Sequence, residues 1–204
     1  MNNVTAYIFN MAPFMLLAIP LYVGIRAIVI RKELQNKRVN PFYEWGLLFY
    51  VVFLVGLASQ TIVPNIMITD SGWYLGQPGI GGFNYTPFKV FKQTYYEVFV
   101  NKNLSYFTIN FIGNIVIFMP VSFFPLLLFW HEHKLRRSLS VGFFTSFFIE
   151  LAQIPIERGS DIDDLWLNTL GAFVGFLIYR VVEKKHPAFC EKFKKARVYD
   201  AKTK

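Results

Sequence analysis

A dense group of polar residues lies near the C-terminal end of this 204-residue chain, between two apolar stretches. Carboxylates, amides and one guanidinium make up the group, which contains Glu150, Gln153, Glu157, Arg158, Asp161, Asp163, Asp164 and Asn168. A carboxylate at the centre of a bilayer costs about 2.5 to 3.5 kcal/mol on insertion scales. We therefore expect Glu150 to be paired, protonated, shallow in the membrane or open to a wet cavity. The group is the first candidate for a functional site.

Helical spacing places these polar groups on single helix faces. Three sets recur at intervals of three, four or seven residues: Glu150, Gln153 and Glu157; Asp161, Asp164 and Asn168; Asn110 and Asn114. With a rise of about 1.5 Å per residue, Glu150 and Asn114 lie about 9 and 12 Å below one membrane boundary, and Asn168 lies at a similar depth. Polar groups turned toward lipid would lack hydrogen-bond partners. We predict that three helices turn these faces toward a common cavity open to the outside.

The charge of the group indicates what it could bind. Five carboxylates and the guanidinium of Arg158 give residues 150–168 a formal charge of −4, within a chain of net charge +8. Such a site suits a cationic group of a ligand, or a divalent cation such as Ca²⁺ or Mg²⁺ held by carboxylate and amide oxygens. In a second arrangement the acids hold Arg158, whose guanidinium binds a phosphate or carboxylate of a lipid-linked wall precursor. In a third, the polar groups only satisfy one another and join three helices.

The elements that must position these groups are membrane helices. Apolar residues make up 54% of the chain and aromatic residues 19%, and a span needs about 20 mostly apolar residues. Five stretches meet or approach this length: residues 6–25, 45–63, 107–130, 138–156 and 165–182. We predict an all-α, polytopic bundle of about five transmembrane helices in one domain, residues 1–182, with a basic tail at 183–204. Pro155 is expected to end or kink the fourth span, and Gly171 and Gly175 to let another helix approach the fifth.

Lys and Arg residues are divided unequally between the two sides of this bundle. With five spans, three basic groups fall on one side, at residues 31–38, 134–137 and 184–204. The other side carries Lys89, Lys92, Lys102 and Arg158. The positive-inside rule predicts a cell-membrane protein with its N-terminus outside and its C-terminus in the cytoplasm. The net positive charge then belongs mostly to a face that contacts anionic membrane lipids, and it does not indicate nucleic-acid binding.

The connection at residues 64–106, between the second and third spans, is too long for a simple turn and too apolar for a solvated linker. Its first part is rich in Gly and aromatic residues, which is typical of irregular backbone near the interface. From Phe88 onward, apolar residues recur at helical spacing opposite Lys89 and Lys92. We predict an amphipathic interfacial helix here, which is either a passive anchor or a lid over the polar group.

Four motifs in this chain are similar to those of the VanZ-like membrane proteins. They are Asn84, Pro87 and Phe88 in NYTPF; Asn114, Phe118 and Pro120 in NIVIFMP; Glu150 and Gln153 in ELAQ; and Arg158, Asp161, Asp164, Asn168, Gly171 and Gly175 in RGSDIDDLWLNTLGAFVG. The resemblance implies a polytopic envelope protein, often of Gram-positive bacteria, associated with resistance to glycopeptides such as teicoplanin. It implies no reaction, and the first two spans carry no matching motif.

Two classes of function are consistent with these residues. In the first, the protein binds or shields an envelope lipid, a wall precursor or a lipophilic glycopeptide, and its site comprises Asn84, Asn114, Glu150, Gln153, Arg158, Asp161, Asp164 and Asn168. In the second, it is an intramembrane enzyme that modifies a lipid-linked substrate, with Glu150 as general acid or base and Asp161 or Asp164 as its partner. Ser160 lacks a nearby His, which disfavours a covalent hydrolase. A transporter is disfavoured because we detect no inverted repeat.

Overall fold

The computed structural model describes residues 3–33, 39–63, 66–69, 72–75, 83–129, 132–156 and 160–194. The helices in these residues are α1 (Asn3–Glu33), α2 (Pro41–Thr61), α3 (Lys89–Tyr95), α4 (Leu104–Phe107), α5 (Asn114–Leu128), α6 (Lys134–Gln153), α7 (Ile162–Lys185) and α8 (Pro187–Lys192). The strands are β1 (Ile66–Thr69), β2 (Gly72–Leu75), β3 (Phe83–Asn84) and β4 (Ser160–Asp161). A π-helical turn follows α3 at Tyr96–Val100, another joins α4 to α5 at Thr108–Gly113, and α6 ends in a 3₁₀ turn at Ile154–Ile156.

The predicted all-α membrane bundle is confirmed. Four helical segments of the described chain are long and apolar enough to cross a membrane: Phe9–Arg31, Pro41–Thr61, Leu104–Leu128 and Ile162–Lys185. The remaining long helix is α6, the fourth of the predicted spans. It is more polar than the others, because its first turns carry Lys134, Arg136 and Arg137 and its last turn carries Glu150.

The contacts of α6 show that it runs beside α7 over its whole length. Lys134, in its first turn, pairs with Glu183 near the end of α7. Ser146, toward its other end, accepts a hydrogen bond from Asn168 near the start of α7. The two helices are therefore antiparallel. Because α6 joins the end of α5 to the start of α7, it covers the same length of the bundle as these two helices, although it is not one of the four segments apolar enough to cross a membrane. The fifth crossing stays a prediction.

The closest helix packing is between α5 and α7, which run parallel to each other. A Cβ atom at Gly171 would collide with the backbone carbonyl of Ile115, and one at Gly175 with that of Met119. Ser122 strengthens this contact by donating a 2.5 Å hydrogen bond from its buried hydroxyl to the Ala172 carbonyl. Small residues thus bring the two backbones together, as expected from the spacing of the two glycines.

We expect Gly175→Ala to lower the stability of the protein by about 1–3 kcal/mol, because the added methyl group must push α5 away from α7. Gly24→Ala in α1 is a matched control, since a Cβ at Gly24 meets nothing within 4 Å. Thermal unfolding in detergent should show a lower midpoint for Gly175→Ala and an unchanged or slightly higher midpoint for Gly24→Ala. Equal midpoints for the two variants would contradict the close approach.

The basic side, defined as the end of the bundle that holds the α1–α2, α5–α6 and α7–α8 junctions, is closed by the C-terminal helix. Asn40 donates from Nδ2 to the carbonyls of Lys192 and Lys194, each at 2.8 Å. The ammonium of Lys194 donates to the Leu126 carbonyl at 2.6 Å, and burial lowers the pKa of this lysine. These bonds hold α8 against α2 and the end of α5.

The opposite end of the bundle carries two short strand ladders, where the sequence predicted irregular backbone. Strands β1 and β2 pair antiparallel, with Ile66 opposite Leu75. β-Branched residues in IMIT and aromatic residues in GWYL have high strand propensity and favour this pairing. Strands β3 and β4 pair parallel, with Asn84 opposite Asp161. This second ladder ties the connection between α2 and α5 to the start of α7.

Candidate functional site

The site begins at the junction of β4 and α7, where Asp161 caps the helix. Asp161 has an extended backbone with φ −127° and ψ 119°, and its side chain accepts a hydrogen bond from the Asp163 amide at 2.9 Å. The same Oδ1 atom accepts from Nδ2 of Asn84 at 2.7 Å. Aspartate is a favoured N-cap because its carboxylate satisfies amides that the first helical turn leaves without partners. Asp161 therefore fixes both the start of α7 and the position of β3.

Asp163 caps a second helix, α3, which is distant from it in the sequence. Its Oδ1 atom accepts from the amide of Phe88 at 2.6 Å and from Nε1 of Trp166 at 2.9 Å. Its Oδ2 atom accepts from the amide of Val90 at 2.7 Å. Phe88 has a left-handed backbone with φ 63° and no side-chain cap of its own. The buried Asp163 carboxylate, 1% exposed, thus supplies the cap that α3 lacks.

Glu150 lies at the end of α6 and holds the turn that leads into α7. Its Oε2 atom accepts from Oγ of Ser160 at 2.7 Å and from the amide of Asp161 at 2.9 Å. Helix α6 ends at Gln153, two residues before Pro155, and the chain then forms the short 3₁₀ turn. Ser160 is brought to Glu150 by this arrangement. The carboxylate takes the position beside the hydroxyl that a histidine occupies in many hydrolases.

Asp164 joins α5, α6 and α7. Its Oδ1 atom accepts from Nδ2 of Asn114 at 2.5 Å, and its backbone carbonyl accepts from the hydroxyl of Ser146 at 3.3 Å. Asn168 donates to the same hydroxyl at 2.9 Å. The Oδ1 atom of Asn168, a residue only 5% exposed, has no hydrogen-bond partner among the described residues. Buried hydrogen-bond acceptors nearly always have a partner. The Oδ1 atom of Asn168 can therefore accept a hydrogen bond from a water molecule or from a donor group of a ligand.

Not all of the predicted site residues meet at this point. Gln153 donates from Nε2 to the Thr61 carbonyl at 3.2 Å, so it contacts the end of α2. Residues three apart on a helix differ by about 60° in direction, which lets Glu150 face α7 while Gln153 faces α2. Asn110 is exposed and bonds the Tyr106 carbonyl of its own helix. Glu157 and Arg158 lie outside the described residues.

We call the residues that do meet the acidic network: Glu150, Asp161, Asp163 and Asp164 with their partners Asn84, Asn114, Ser146, Ser160 and Asn168. In the described chain, the ion pairs lie elsewhere: Arg26–Glu44, Lys134–Glu183 and Arg180–Glu183. The four carboxylates are therefore held by amides and hydroxyls. Glu150, Asp161 and Asp163 also lie near enough to Asp164 to repel it electrostatically.

Among the described residues, no group of three or more His, Cys, Asp and Glu side chains is arranged to hold a metal ion. Five of the eight carboxylate oxygens of the acidic network accept hydrogen bonds from backbone amides or from the side chains of Asn84, Asn114, Ser160 and Trp166. Because Glu157 and Arg158 lie outside the described residues, the Ca²⁺ or Mg²⁺ alternative stays a prediction.

An open groove of about 870 Å³ lies beside the acidic network. We call it the aromatic groove; its lining comprises Thr86, Pro87, Phe88, Lys89, Lys92, Gln93, Tyr95, Tyr96, Glu97 and Tyr106. Tyr106 donates to Oε1 of Gln93 at 3.1 Å across it. Beneath it, Phe91 stacks on Trp166 with ring centroids 5.6 Å apart. The sequence predicted an amphipathic helix here, and α3 with its π-turn exposes Phe91, Tyr95 and Phe99.

A family sequence model matches most of these elements. A sequence model of the VanZ/LLP1 family matches residues 45–183, which is more than half of the chain. The matched region contains α5, α6, α7, the acidic network and the aromatic groove, and it leaves α1 outside. No curated protein matches the chain significantly. No solved structure does so either.

Proposed function

We propose that this chain, which belongs to the VanZ/LLP1 family, binds an amphiphilic molecule of the cell envelope and thereby contributes to glycopeptide resistance. The ligand is an envelope lipid, a lipid-linked wall precursor or a lipophilic glycopeptide. It lies in the aromatic groove, with one polar end directed at the acidic network. Binding there reduces the access of the antibiotic to its target.

The position of the aromatic groove carries this proposal. Ligand pockets typically measure about 300 to 1,000 Å³ and are lined by aromatic side chains with a few polar groups. The aromatic groove has this size, and four of its ten described lining residues are aromatic. It is joined directly to the network, because the amides of Phe88, in its lining, and of Val90, two residues later, donate to the Asp163 carboxylate. The acidic network therefore holds part of the groove lining in place and also provides acidic groups beside the groove.

The charges around the groove suit a ligand that carries both signs. Lys89 and Lys92 are exposed at its edge and attract a phosphate or carboxylate. The carboxylates behind it have no described cationic partner and attract an amine. Tyr95 and Tyr96 are 64% and 55% exposed, so an acyl chain or aromatic ring has surface to bury. Lipid-linked and glycopeptide molecules combine such groups.

Replacing Tyr95 and Tyr96 together by Ala should weaken binding of a lipoglycopeptide by about tenfold or more, since aromatic anchors commonly contribute 1–2 kcal/mol or more. The measurement is a titration of teicoplanin against the full chain in nanodiscs. Tyr85→Ala is the control, because Tyr85 is also exposed, at 74%, and lies outside the groove lining. Undiminished affinity in the double variant, or an equal loss in the control, would refute binding in the groove.

A second candidate is an intramembrane hydrolase or transferase, favoured by the hydrogen bond from Ser160 to Glu150. A serine hydroxyl that donates to a carboxylate is oriented to lose its proton when it attacks an acyl or phosphoryl centre. Glu150 would act as the general base, with Asp164 nearby. The same hydrogen bond also closes the turn before α7. Analysis of wall lipids from cells with and without the protein separates the two candidates.

The basic side of the bundle faces the cytoplasm in this proposal, which leaves the acidic network and the aromatic groove outside. Lys102→Cys, in a chain whose buried Cys190 is replaced by Ser, should react in intact cells with a membrane-impermeant maleimide. Lys184→Cys should react only after the membrane is permeabilised. Both lysines are exposed on their respective sides. The reverse labelling pattern would place the groove in the cytoplasm and exclude direct contact with an external antibiotic.

A further inference from the structure

A second groove, of about 660 Å³, follows α6 at the basic side of the bundle. His133, Arg136 and Arg137 lie at one end of it, and Val141, Phe144 and Phe148 continue it along the helix. His133, Arg137, Val141, Phe144 and Phe148 recur at intervals of three or four residues and so share one helix face, with Arg136 beside Arg137. The buried Ser138, Gly142 and Ser146 lie on another face, where Gly142 contacts Ala172 of α7. We call this surface the α6 groove.

We propose that the α6 groove binds one anionic phospholipid of the leaflet on the basic side. Its phosphate lies against Arg136 and Arg137, and one acyl chain runs along Phe144 and Phe148. Arginine guanidinium groups bind phosphate through two parallel N–H donors. Among the described residues that line the groove, none is acidic and able to compete for them. This site is separate from the aromatic groove and does not depend on the function proposed for it.

The dimensions of the groove match one leaflet of a bilayer. Arg137 and Phe148 are eleven residues apart, which corresponds to about 16 Å along a helix. Half of the hydrocarbon core of a bilayer is about 15 Å thick. With the arginines at headgroup level, Phe148 therefore lies near the bilayer midplane. Ser140 and Thr145, also in the groove lining, place hydroxyl groups between these two ends.

Exposure and charge favour a lipid over a second copy of this chain. Phe144 and Phe148 are 54% and 63% exposed, and both arginines are exposed. A symmetric dimer through this face would bring the arginines of two copies together, and the described groove lining offers no acid to separate them, which is unfavourable. One anionic lipid molecule supplies negative charge to the arginines and also covers the phenylalanine side chains.

The test is native mass spectrometry of the full chain, titrated in detergent with phosphatidylglycerol or phosphatidylcholine. We expect wild type to bind phosphatidylglycerol about tenfold more tightly, in keeping with charge-assisted hydrogen bonds. Arg136→Gln with Arg137→Gln should abolish this preference, and Phe144→Ala with Phe148→Ala should weaken both lipids. Lys184→Gln with Lys185→Gln, which removes two exposed charges from the same side outside the groove, should leave the preference unchanged.

Four results would overturn the proposal. The first is equal affinity of wild type for the two lipids, and the second is an equal loss of the phosphatidylglycerol preference in the Lys184/Lys185 variant. The third is displacement of the lipid by inorganic phosphate. The fourth is a dimer that disappears in the Phe144/Phe148 variant without a change in lipid binding. The second result would indicate general attraction by the basic side, and the fourth a protein interface. If the Gln variant fails to fold, Arg136→Lys with Arg137→Lys keeps both charges, and an undiminished preference in that variant would also overturn the arginine contact.

Discussion

Replacing Asp163 by Asn should cause the largest loss of stability of any single substitution in the acidic network, about 3–5 kcal/mol. The buried carboxylate accepts hydrogen bonds from Phe88, Val90 and Trp166. An amide offers one acceptor and turns an N–H₂ group toward donors, so at least one donor loses its partner in the protein interior. The start of α3 would then detach from α7. Thermal unfolding in detergent measures the loss.

The same substitution should also change the aromatic groove, because Phe88 lies in its lining. Limited proteolysis should cut the Asp163→Asn protein between residues 85 and 106 faster than the wild type. Glu191→Gln is the matched control, because it removes an exposed carboxylate on the basic side, outside the segment 85–106 and the groove lining. An unfolding midpoint equal to that of the control would show that Asp163 is not the anchor of α3.

The sequence was sufficient to predict the membrane helices and part of the acidic network. The spans follow from uninterrupted apolar length. Helical spacing predicted that Asp164 and Asn168 share a face, and equal depth predicted that Asn114 lies at the level of Asn168; in the structure Asn114 donates to Asp164, one helical turn before Asn168. These inferences use distances along a helix axis, which the residue count fixes.

The capping role of Asp163 could not be predicted in the same way. Its amide partner Val90 is 73 residues away in the chain, and nothing in the composition of either segment relates the two. The local signal was an acid in the first turn of α7 with Trp166 three residues later, which indicates a cap but no partner. Gln153 shows the converse problem. Its spacing from Glu150 indicated a shared face, but a difference of about 60° sends the two side chains to different helices.

The second large effect is expected at Asp164, where charge and structure can be separated. Asp164→Asn keeps an oxygen that accepts from Asn114, so stability should change by no more than about 1 kcal/mol. In the proposed function, the acid that pairs with the cationic end of the ligand is lost. In a susceptible Gram-positive host, resistance to teicoplanin should therefore fall to the level of the empty vector while the protein accumulates normally. Glu191→Gln, an exposed acid on the basic side, should keep full resistance.

If the Asp164→Asn protein is instead lost from the membrane, the main role of Asp164 is to join the helices. Ser160→Ala then separates binding from catalysis, because it removes the hydroxyl that donates to Glu150 while leaving the Asp161 amide to hold the carboxylate. If the protein only binds its ligand, Ser160→Ala retains resistance. If Ser160 is a nucleophile, the same change abolishes it, and Glu150→Gln lowers turnover by about 10²- to 10⁴-fold with ligand binding preserved. We expect resistance to survive at Ser160 and to be lost at Asp164, a combination that catalysis through the Ser160–Glu150 pair cannot produce.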